Sequence, residues 1–319
     1  MTTQNSHFDS VRIQSTGSYV PSRVVTNEEI VRDLPTSPEW IVENVGIRQR
    51  HIAEPEEYTS DLAACAGLNA IASAGLEPND IDLIIVATST PDRKAPSSAC
   101  IAQTKMGIHN GCAAFDVAAV CSGFVYGLTI AGQFMQNGTY EHALVIGADT
   151  FSKITDWNHR TCPYFGDGAG AVVLDRKVRE NGLFSSILLA DGEGVDYFTV
   201  YPGESCFKMN GKAVFDKATT ALPECIRQIL CMNRLTLNDV SIILPHQASA
   251  RVLKRTAEVL DVPYDRIRTN LEWCANTAGA SVPLVLDHVN RSGDIHEGDL
   301  VLFAAIGAGW TWGASLYRW

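Results

Sequence analysis

FDVAAVCSGFVYGL, residues 115–128, puts Cys121 directly after an apolar strand and in the first turn of a helix rich in small residues. Strand-like runs continue on both sides of it. Ile81–Thr88 (IDLIIVAT), Ala143–Gly147, Ala171–Leu174, Ile242–Leu244 and Leu300–Ala305 are short and β-branched or continuously apolar, which predicts strands buried on both faces of a sheet. Helix-length stretches lie between them: Asp61–Ala74, Gly123–Gln136, Arg251–Leu260 and Ser281–Arg291. Alternation of this kind predicts an α/β fold.

The pattern also repeats on a larger scale. In the first half, strand 81–88 is followed by Cys121 at a helix start, then strand 143–147, then GDGAGAVVLDR. In the second half, strand 240–244 is followed by Asn276 at a helix start, then strand 300–305, then GAGWTWGASLYRW. Val86 to Cys121 spans 35 positions and Ile243 to Asn276 spans 33, so the halves read as copies of one βα unit. The expected division is residues 1–178, carrying the cysteine, and residues 179–319, with Cys121 and Asn276 facing a shared centre.

A chain of 319 residues with 46% hydrophobic and 19% charged residues can bury a large interior, which excludes disordered and collagen-like classes. Its net charge of −11 argues against bulk attraction to nucleic acid or to an anionic membrane. Nine scattered cysteines with no CxxC pair read as free thiols of a reducing cytosol, and no spacing suits a metal. The polar opening MTTQNSHFDS does not read as a signal peptide, and no apolar run approaches the ~20 residues of a membrane span. The expected location is therefore the cytoplasm. Gly166–Ala171 satisfies GxGxxA, but a strand is expected to follow it, so no dinucleotide site is expected.

The chemistry gathers at three junctions. A helix N-terminus favours a thiolate, so Cys121 reads as a nucleophile with a lowered pKa. His246, in LPHQAS, follows a strand at the end where open α/β sheets bind ligands. Asn276, in CANTAGASVPL, reads by itself as a helix cap. A Cys, a His and an Asn at related strand–helix junctions make a sharper proposal than any one alone.

Almost the whole chain, from about Val11 to Trp319, resembles the β-ketoacyl-acyl-carrier-protein synthase III family. The matching runs are TSPEWIVENVGIRQRHI (36–52), PSSAC (96–100), FDVAAVCSGF (115–124), FGDGAGAVVL (165–174), PHQAS (245–249), NTAGASVP (276–283) and GAGWTWGASLYRW (307–319). The resemblance implies a thiolase fold, with duplicated halves in a layered α-β-α-β-α core, and a homodimer. It implies a Cys121-His246-Asn276 triad and an oxyanion hole made by the backbone N–H groups of Cys121 and Ala308. The implied reaction is condensation of an acyl-CoA primer with malonyl-acyl-carrier protein through an acyl-cysteine, with loss of CO2 and no cofactor beyond the CoA thioester substrate. Elongating relatives carry a second His where this chain has Asn276, and thiolases carry a Cys in the final Gly-rich loop, which is absent from Gly307–Trp310.

By the same resemblance Trp40 and Arg160 sandwich the adenine of CoA, Asn44 stands where relatives often have a phosphate-binding Arg, and Ser249 where they have Asn. Ala95 corresponds to a residue that reaches the partner's acyl pocket, which Phe165 also lines. Alanine at position 95 leaves room for a primer longer than acetyl. Arg251, Lys254 and Arg255 share one helix face at i, i+3 and i+4, as expected of a docking patch for an acidic carrier protein. The departures at Ala95, Asn44 and Ser249 also suit an acyltransferase or ketosynthase of specialised metabolism with another acceptor. A silent partner subunit is disfavoured, because all three triad residues are present.

Overall fold

In the computed structural model, which describes residues 6–7, 11–176 and 184–319, the apolar runs form two five-stranded mixed sheets. The first holds β1 (Arg12–Tyr19), β2 (Leu83–Ala87), β3 (Ala113–Val117), β4 (His142–Thr150) and β5 (Asp167–Asp175), ordered β1-β5-β4-β2-β3. The second holds β6 (Phe184–Ala190), β7 (Ile242–Pro245), β8 (Leu300–Gly307) and β9 (Thr311–Arg318), ordered β6-β9-β8-β7. The short strand Ser6–His7 joins this second sheet, antiparallel to β6.

Strand directions repeat between the sheets. β2 runs parallel to β4 as β7 does to β8, and β4–β5 and β5–β1 are antiparallel as are β8–β9 and β9–β6. β3 pairs parallel with β2, and its counterpart is reduced to one parallel bridge between Ile243 and Ile267. The expected junction between residues 178 and 179 lies outside the described residues.

Among the described residues seven α-helices longer than four residues surround the sheets: α1 (Pro38–Asn44), α2 (Thr59–Ala74), α3 (Ser98–Lys105), α4 (Gly123–Gln136), α5 (Gly211–Met232), α6 (Ala250–Leu260) and α7 (Ser281–Arg291). α2 and α3 cover the outer face of the first sheet, and α5 and α6 that of the second. α4 and α7 lie between the sheets and touch both, completing an α-β-α-β-α stack. Phe124, Val125 and Leu128 of α4 and Val282, Val285 and Leu286 of α7 share one core with Ile85 and Val145 of the first sheet and Leu244 and Phe303 of the second. A fully buried side chain of this size contributes about 1.5–3 kcal/mol, so this shared layer binds the halves together.

Several strands run further than their apolar cores predict, β4 on to Thr150, β5 back to Asp167 and β8 on to Gly307. The added residues include Asp149 and Asp167, both fully buried and satisfied by hydrogen bonds from neighbouring loops. α7 is also tied to β1 by a buried acid: Asp287 accepts from Thr16 Oγ1 at 2.6 Å and from Ser18 Oγ at 2.5 Å.

Glycine lets α7 lie close against the first sheet. A Cβ at Gly170 of β5 would sit 2.5 Å from the carbonyl carbon of Pro283, which is backbone and cannot swing aside. Gly170→Ala should therefore cost about 1–3 kcal/mol of stability. Gly192→Ala, where a Cβ meets nothing within 4 Å, should cost close to nothing. Urea denaturation of both variants checks the contrast.

Candidate active site

The strand-to-helix junctions of both halves open onto one cavity of about 1,030 Å3, lined by Cys121, His246 and Asn276. Cys121 sits in a 3-10 turn, Val120–Ser122, between β3 and the start of α4 at Gly123. Val120 has φ of +46°, a left-handed conformation that costs a β-branched residue about 1–3 kcal/mol and presents the next residue at a sharp corner. The turn is clasped to the far end of the chain. Ser122 Oγ donates to Ala119 O at 2.7 Å and lies 2.8 Å from Thr311 Oγ1, which bonds Ala308 O at 3.2 Å. Gly307 permits that approach, since a Cβ there would lie 2.8 Å from the Cys121 nitrogen.

His246 follows β7, and its N–H donates to Ala304 O of β8 at 2.7 Å. Its ring is buried, and Nδ1 has no hydrogen-bond partner among the described residues, leaving Nε2 as the ring nitrogen available to the cavity. The next residue anchors the loop, with Gln247 N–H donating to Ser281 Oγ and Gln247 Oε1 accepting from Thr269 and Asn270.

Asn276 lies in an extended link ahead of the 3-10 turn Ala278–Ala280 and of α7. Its N–H donates to Tyr164 O at 3.0 Å, and its carbonyl accepts from Gly166 N–H at 3.0 Å. Ala278 N–H donates to Oδ1 at 2.9 Å, which leaves Nδ2 as the amide's free donor. Ala275 and Ala278 flank it at φ of +60° and +48°. The expectation that Cys121 and Asn276 each open a helix is thus corrected. Both precede their helices across a tight turn, because the strained corner needs residues that α-helical geometry does not supply.

The electrostatics correct a second expectation. Burial, reinforced by the carboxylate of Asp149, pushes the Cys121 thiol well above its ordinary value instead of lowering it. Burial pushes His246 down to about 3, so its imidazole is neutral at ordinary pH. The resting pair is a thiol and an uncharged imidazole.

Apolar and cationic residues divide the rest of the cavity. Phe165, Phe198, Met209 and Trp310 line its apolar wall. Phe165 stacks on Phe151 at 4.7 Å and meets Phe207 edge-on at 4.9 Å, so it is held from behind. Trp40, Arg160 and Arg251 line it as well, together with Lys212, which periodicity did not single out. Ser249 lines the cavity while its hydroxyl caps α6 by accepting from Val252 N–H at 3.4 Å.

Several expected residues stand apart from this lining. Asn44 turns back along α1 to donate to Trp40 O at 3.0 Å. Ala95 is exposed and lies outside the cavity of its own chain. Lys254 and Arg255 share the exposed face of α6 with Arg251, but Arg255 is paired with Glu258 at 3.0 Å and Arg251 leans over the ring of Phe215. Ala308 lines the cavity beside Gly307.

A repeated α-β-α-β-α stack whose two halves bring a cysteine and an imidazole to one cavity has the architecture of a thiolase-like condensing enzyme, an acyltransferase. The family profile described as 3-oxoacyl-[acyl-carrier-protein (ACP)] synthase III matches residues 115–192, and its C-terminal counterpart matches residues 230–319. The chain is 44% identical to the β-ketoacyl-[acyl-carrier-protein] synthase III of Thiobacillus denitrificans, covering 97% of this chain and 99% of that one. It is 46% identical to the enzyme of the same name from Erythrobacter litoralis, over 96% of this chain and 98% of that one. The crystal structure of the Aquifex aeolicus 3-oxoacyl-[acyl-carrier-protein] synthase III superposes with a TM-score of 0.93 at 37% identity, covering 97% of this chain and all of that one. This chain belongs to the β-ketoacyl-acyl-carrier-protein synthase III family, the condensing enzymes that initiate fatty acid synthesis.

The buried imidazole makes stability depend on pH. The folded value of about 3 lies below the ordinary 6.5, so between them the unfolded chain binds the extra proton and stability falls as pH falls. His246→Gln removes that contribution. The variant should lose less stability than the parent between pH 6.5 and pH 4, as measured by urea denaturation at each pH.

Proposed function

We propose that Cys121 carries the acyl group, that His246 and Asn276 serve it from the other half, and that the first substrate is an acyl-CoA. The observation that carries this reading is the meeting of all three residues in one cavity. In the first stage the Cys121 sulfur bonds to the thioester carbonyl and the carbon–sulfur bond to CoA breaks. The thiol proton passes through His246 to the departing CoA sulfur. In the second stage malonyl-acyl-carrier protein loses CO2, and the electron pair of the broken carbon–carbon bond forms an enolate. Once the imidazole's one proton has moved from Nδ1 to Nε2, Nε2–H of His246 and the Nδ2 amide of Asn276 stabilise the enolate oxygen. The enolate carbon then bonds to the acyl carbonyl, and the backbone N–H groups of Cys121 and Ala308 hold the oxyanion. Collapse releases 3-oxoacyl-carrier protein and a Cys121 sulfur that regains its proton from water. Each such donor is worth about 3–4 kcal/mol of barrier. A neutral imidazole suits this double duty, since one nitrogen first accepts and later donates.

Trp40 and Arg160 at the cavity mouth suit an adenine ring by stacking. Arg251 and Lys254 suit an acidic carrier protein, with Arg160 and Lys212, the latter paired with Asp216, continuing the rim. The apolar wall of Phe165, Phe198 and Met209 supports a primer longer than acetyl. A homodimer and a cytoplasmic location complete the reading. The edge strand β3 supports the dimer: it is half-buried along its whole length while its neighbour β2 is fully buried. Phe115, Phe134 and Tyr140 cluster beside that edge, and Phe134 is 42% exposed. Such an edge suits strand addition by a second copy, which would carry Ala95 toward the neighbouring pocket. Among the described residues no helix is long and apolar enough to cross a membrane.

Intact-protein mass after acyl-CoA addition should show one acyl adduct on the parent and none on Cys121→Ala. With acetyl-CoA and octanoyl-CoA in competition, the octanoyl adduct should dominate. An adduct on the alanine variant removes the nucleophile assignment, and acetyl dominance removes the long primer. Lys254→Glu should raise the KM for malonyl-acyl-carrier protein several-fold and leave the acylation rate in place. Steady-state kinetics at low salt measures this.

A further inference from the structure

Asp149 is a fully buried acid that follows the apolar run Ala143–Ala148 of β4, behind both catalytic turns. Five donors converge on its Oδ1: Thr88 Oγ1 at 3.1 Å, Ser89 N–H at 2.8 Å, Ser89 Oγ at 2.9 Å, Thr90 N–H at 3.0 Å and Thr90 Oγ1 at 2.8 Å. Gly279 N–H donates to Oδ2 at 2.8 Å. None of these donors is a cation. Burial raises the carboxyl's pKa, and the hydrogen bonds oppose it. Burial is the larger influence, but the donors on Oδ1 include two main-chain N–H groups that cannot reverse their role, and this arrangement favours the carboxylate.

The bond to Gly279 reaches both halves of the site. Gly279 belongs to the turn Ala278–Ala280, whose Ala278 N–H fixes Oδ1 of Asn276 at 2.9 Å. A Cβ at Gly279 would lie 3.0 Å from Asp149 Oδ2 and 3.3 Å from Val120 O, the carbonyl immediately before Cys121. The carboxylate therefore braces the turn that aims the amide and adjoins the turn that carries the sulfur.

We propose that Asp149 is a positioning residue with two effects: through Gly279 it aims Asn276, and its buried negative charge restrains ionisation of Cys121. The proposal rests on the roles given above to Cys121 and Asn276. A thiol restrained in this way resists alkylation and oxidation between turnovers, because the thiolate is the reactive form. Other ionisable groups on the packed elements have partners of their own: Tyr126 of α4 donates to Leu189 O, and Asp287 of α7 accepts from Thr16 and Ser18. His246 is neutral, Asp116 of β3 accepts from the N–H groups of Ser98 and Ala99, and Asp167 of β5 accepts from Ala53 and Ser152. Removing the charge at position 149 therefore lowers the Cys121 pKa, since an anion beside a thiol opposes its ionisation.

Asp149→Asn and Gly279→Ala separate the two effects. The asparagine cannot accept from Gly279 N–H while its oxygen serves the Ser89 and Thr90 donors, so it loses both the charge and the brace. Gly279→Ala presses a methyl against Oδ2 and keeps the charge. Three quantities are measured: the pH dependence of iodoacetamide alkylation at Cys121, followed by peptide mass; the single-turnover rate of acylation by acyl-CoA; and the rate of condensation with malonyl-acyl-carrier protein. In Asp149→Asn the alkylation midpoint should fall by about one pH unit or more, and condensation should drop about tenfold or more relative to acylation. In Gly279→Ala the same relative drop should appear with the midpoint unmoved. A parallel decline of both rates in either variant, or an unmoved midpoint in Asp149→Asn, overturns the proposal. If Asp149→Asn does not fold, Gly279→Ala still tests the brace. Failure of the parent enzyme to acylate or condense counts against the functional reading instead.

Discussion

Two helices without a solvent face govern this structure. From Gly123 to Gly132 in α4, and from Ser281 to Asp287 in α7, no residue is exposed. Helices buried on all sides over this length, with Asp287 of α7 satisfied by Thr16 and Ser18, have nowhere to go but between layers, so each must satisfy both sheets at once. Their N-terminal ends then lie in the middle of the molecule, and the turns that lead into them carry Cys121 and Asn276. Cys121 and Asn276 line one cavity because the burial of these helices leaves their preceding turns no other place.

Main-chain proximity follows from that packing. A Cβ at Gly147 would lie 2.2 Å from Gly279 O, and one at Gly307 would lie 2.8 Å from the Cys121 nitrogen. Backbone from one half lies against backbone from the other at the centre of the site, where hydrogen-bond donors are held without side-chain freedom. Donors fixed in advance need no reorganisation as charge develops, which is where such a site gains most of its effect. The strained corners at Val120, Ala275 and Ala278 are sustained by the same surroundings.

The polar groups of the site are arranged for charge that appears only during reaction. Cys121 and His246 are both uncharged at rest, and the buried Asp149 behind them is bound to hydroxyls and amides. Cationic groups are kept to the rim, where Arg160, Lys212 and Arg251 meet solvent. An apolar wall and a cationic mouth in one cavity fit the family's chemistry, which presents an acyl chain on a charged carrier. The overall charge of −11 gives no sign of this local division.

The sequence by itself determined the elements. The limits of Gly123–Gln136 and Ser281–Arg291, and the cores of β2, β4, β7 and β8, follow from hydrophobic periodicity, because that pattern is imposed residue by residue by burial. The repeated order of strand, junction and helix also pointed to Cys121 and Asn276 at one centre, and the family resemblance joined His246 to them. Tertiary structure alone decided the environment of those residues. The dipole of a helix end suggested a lowered thiol pKa, but desolvation and Asp149 raise it, and both arise from parts of the chain remote in sequence. Asn44 and Arg255 spend their polar groups on neighbours within their own helices, and Lys212 reaches the mouth from a helix whose position no local pattern sets. Periodicity records which face of an element is buried; what that face is buried against depends on contacts between the halves, and those exist only once the chain is folded.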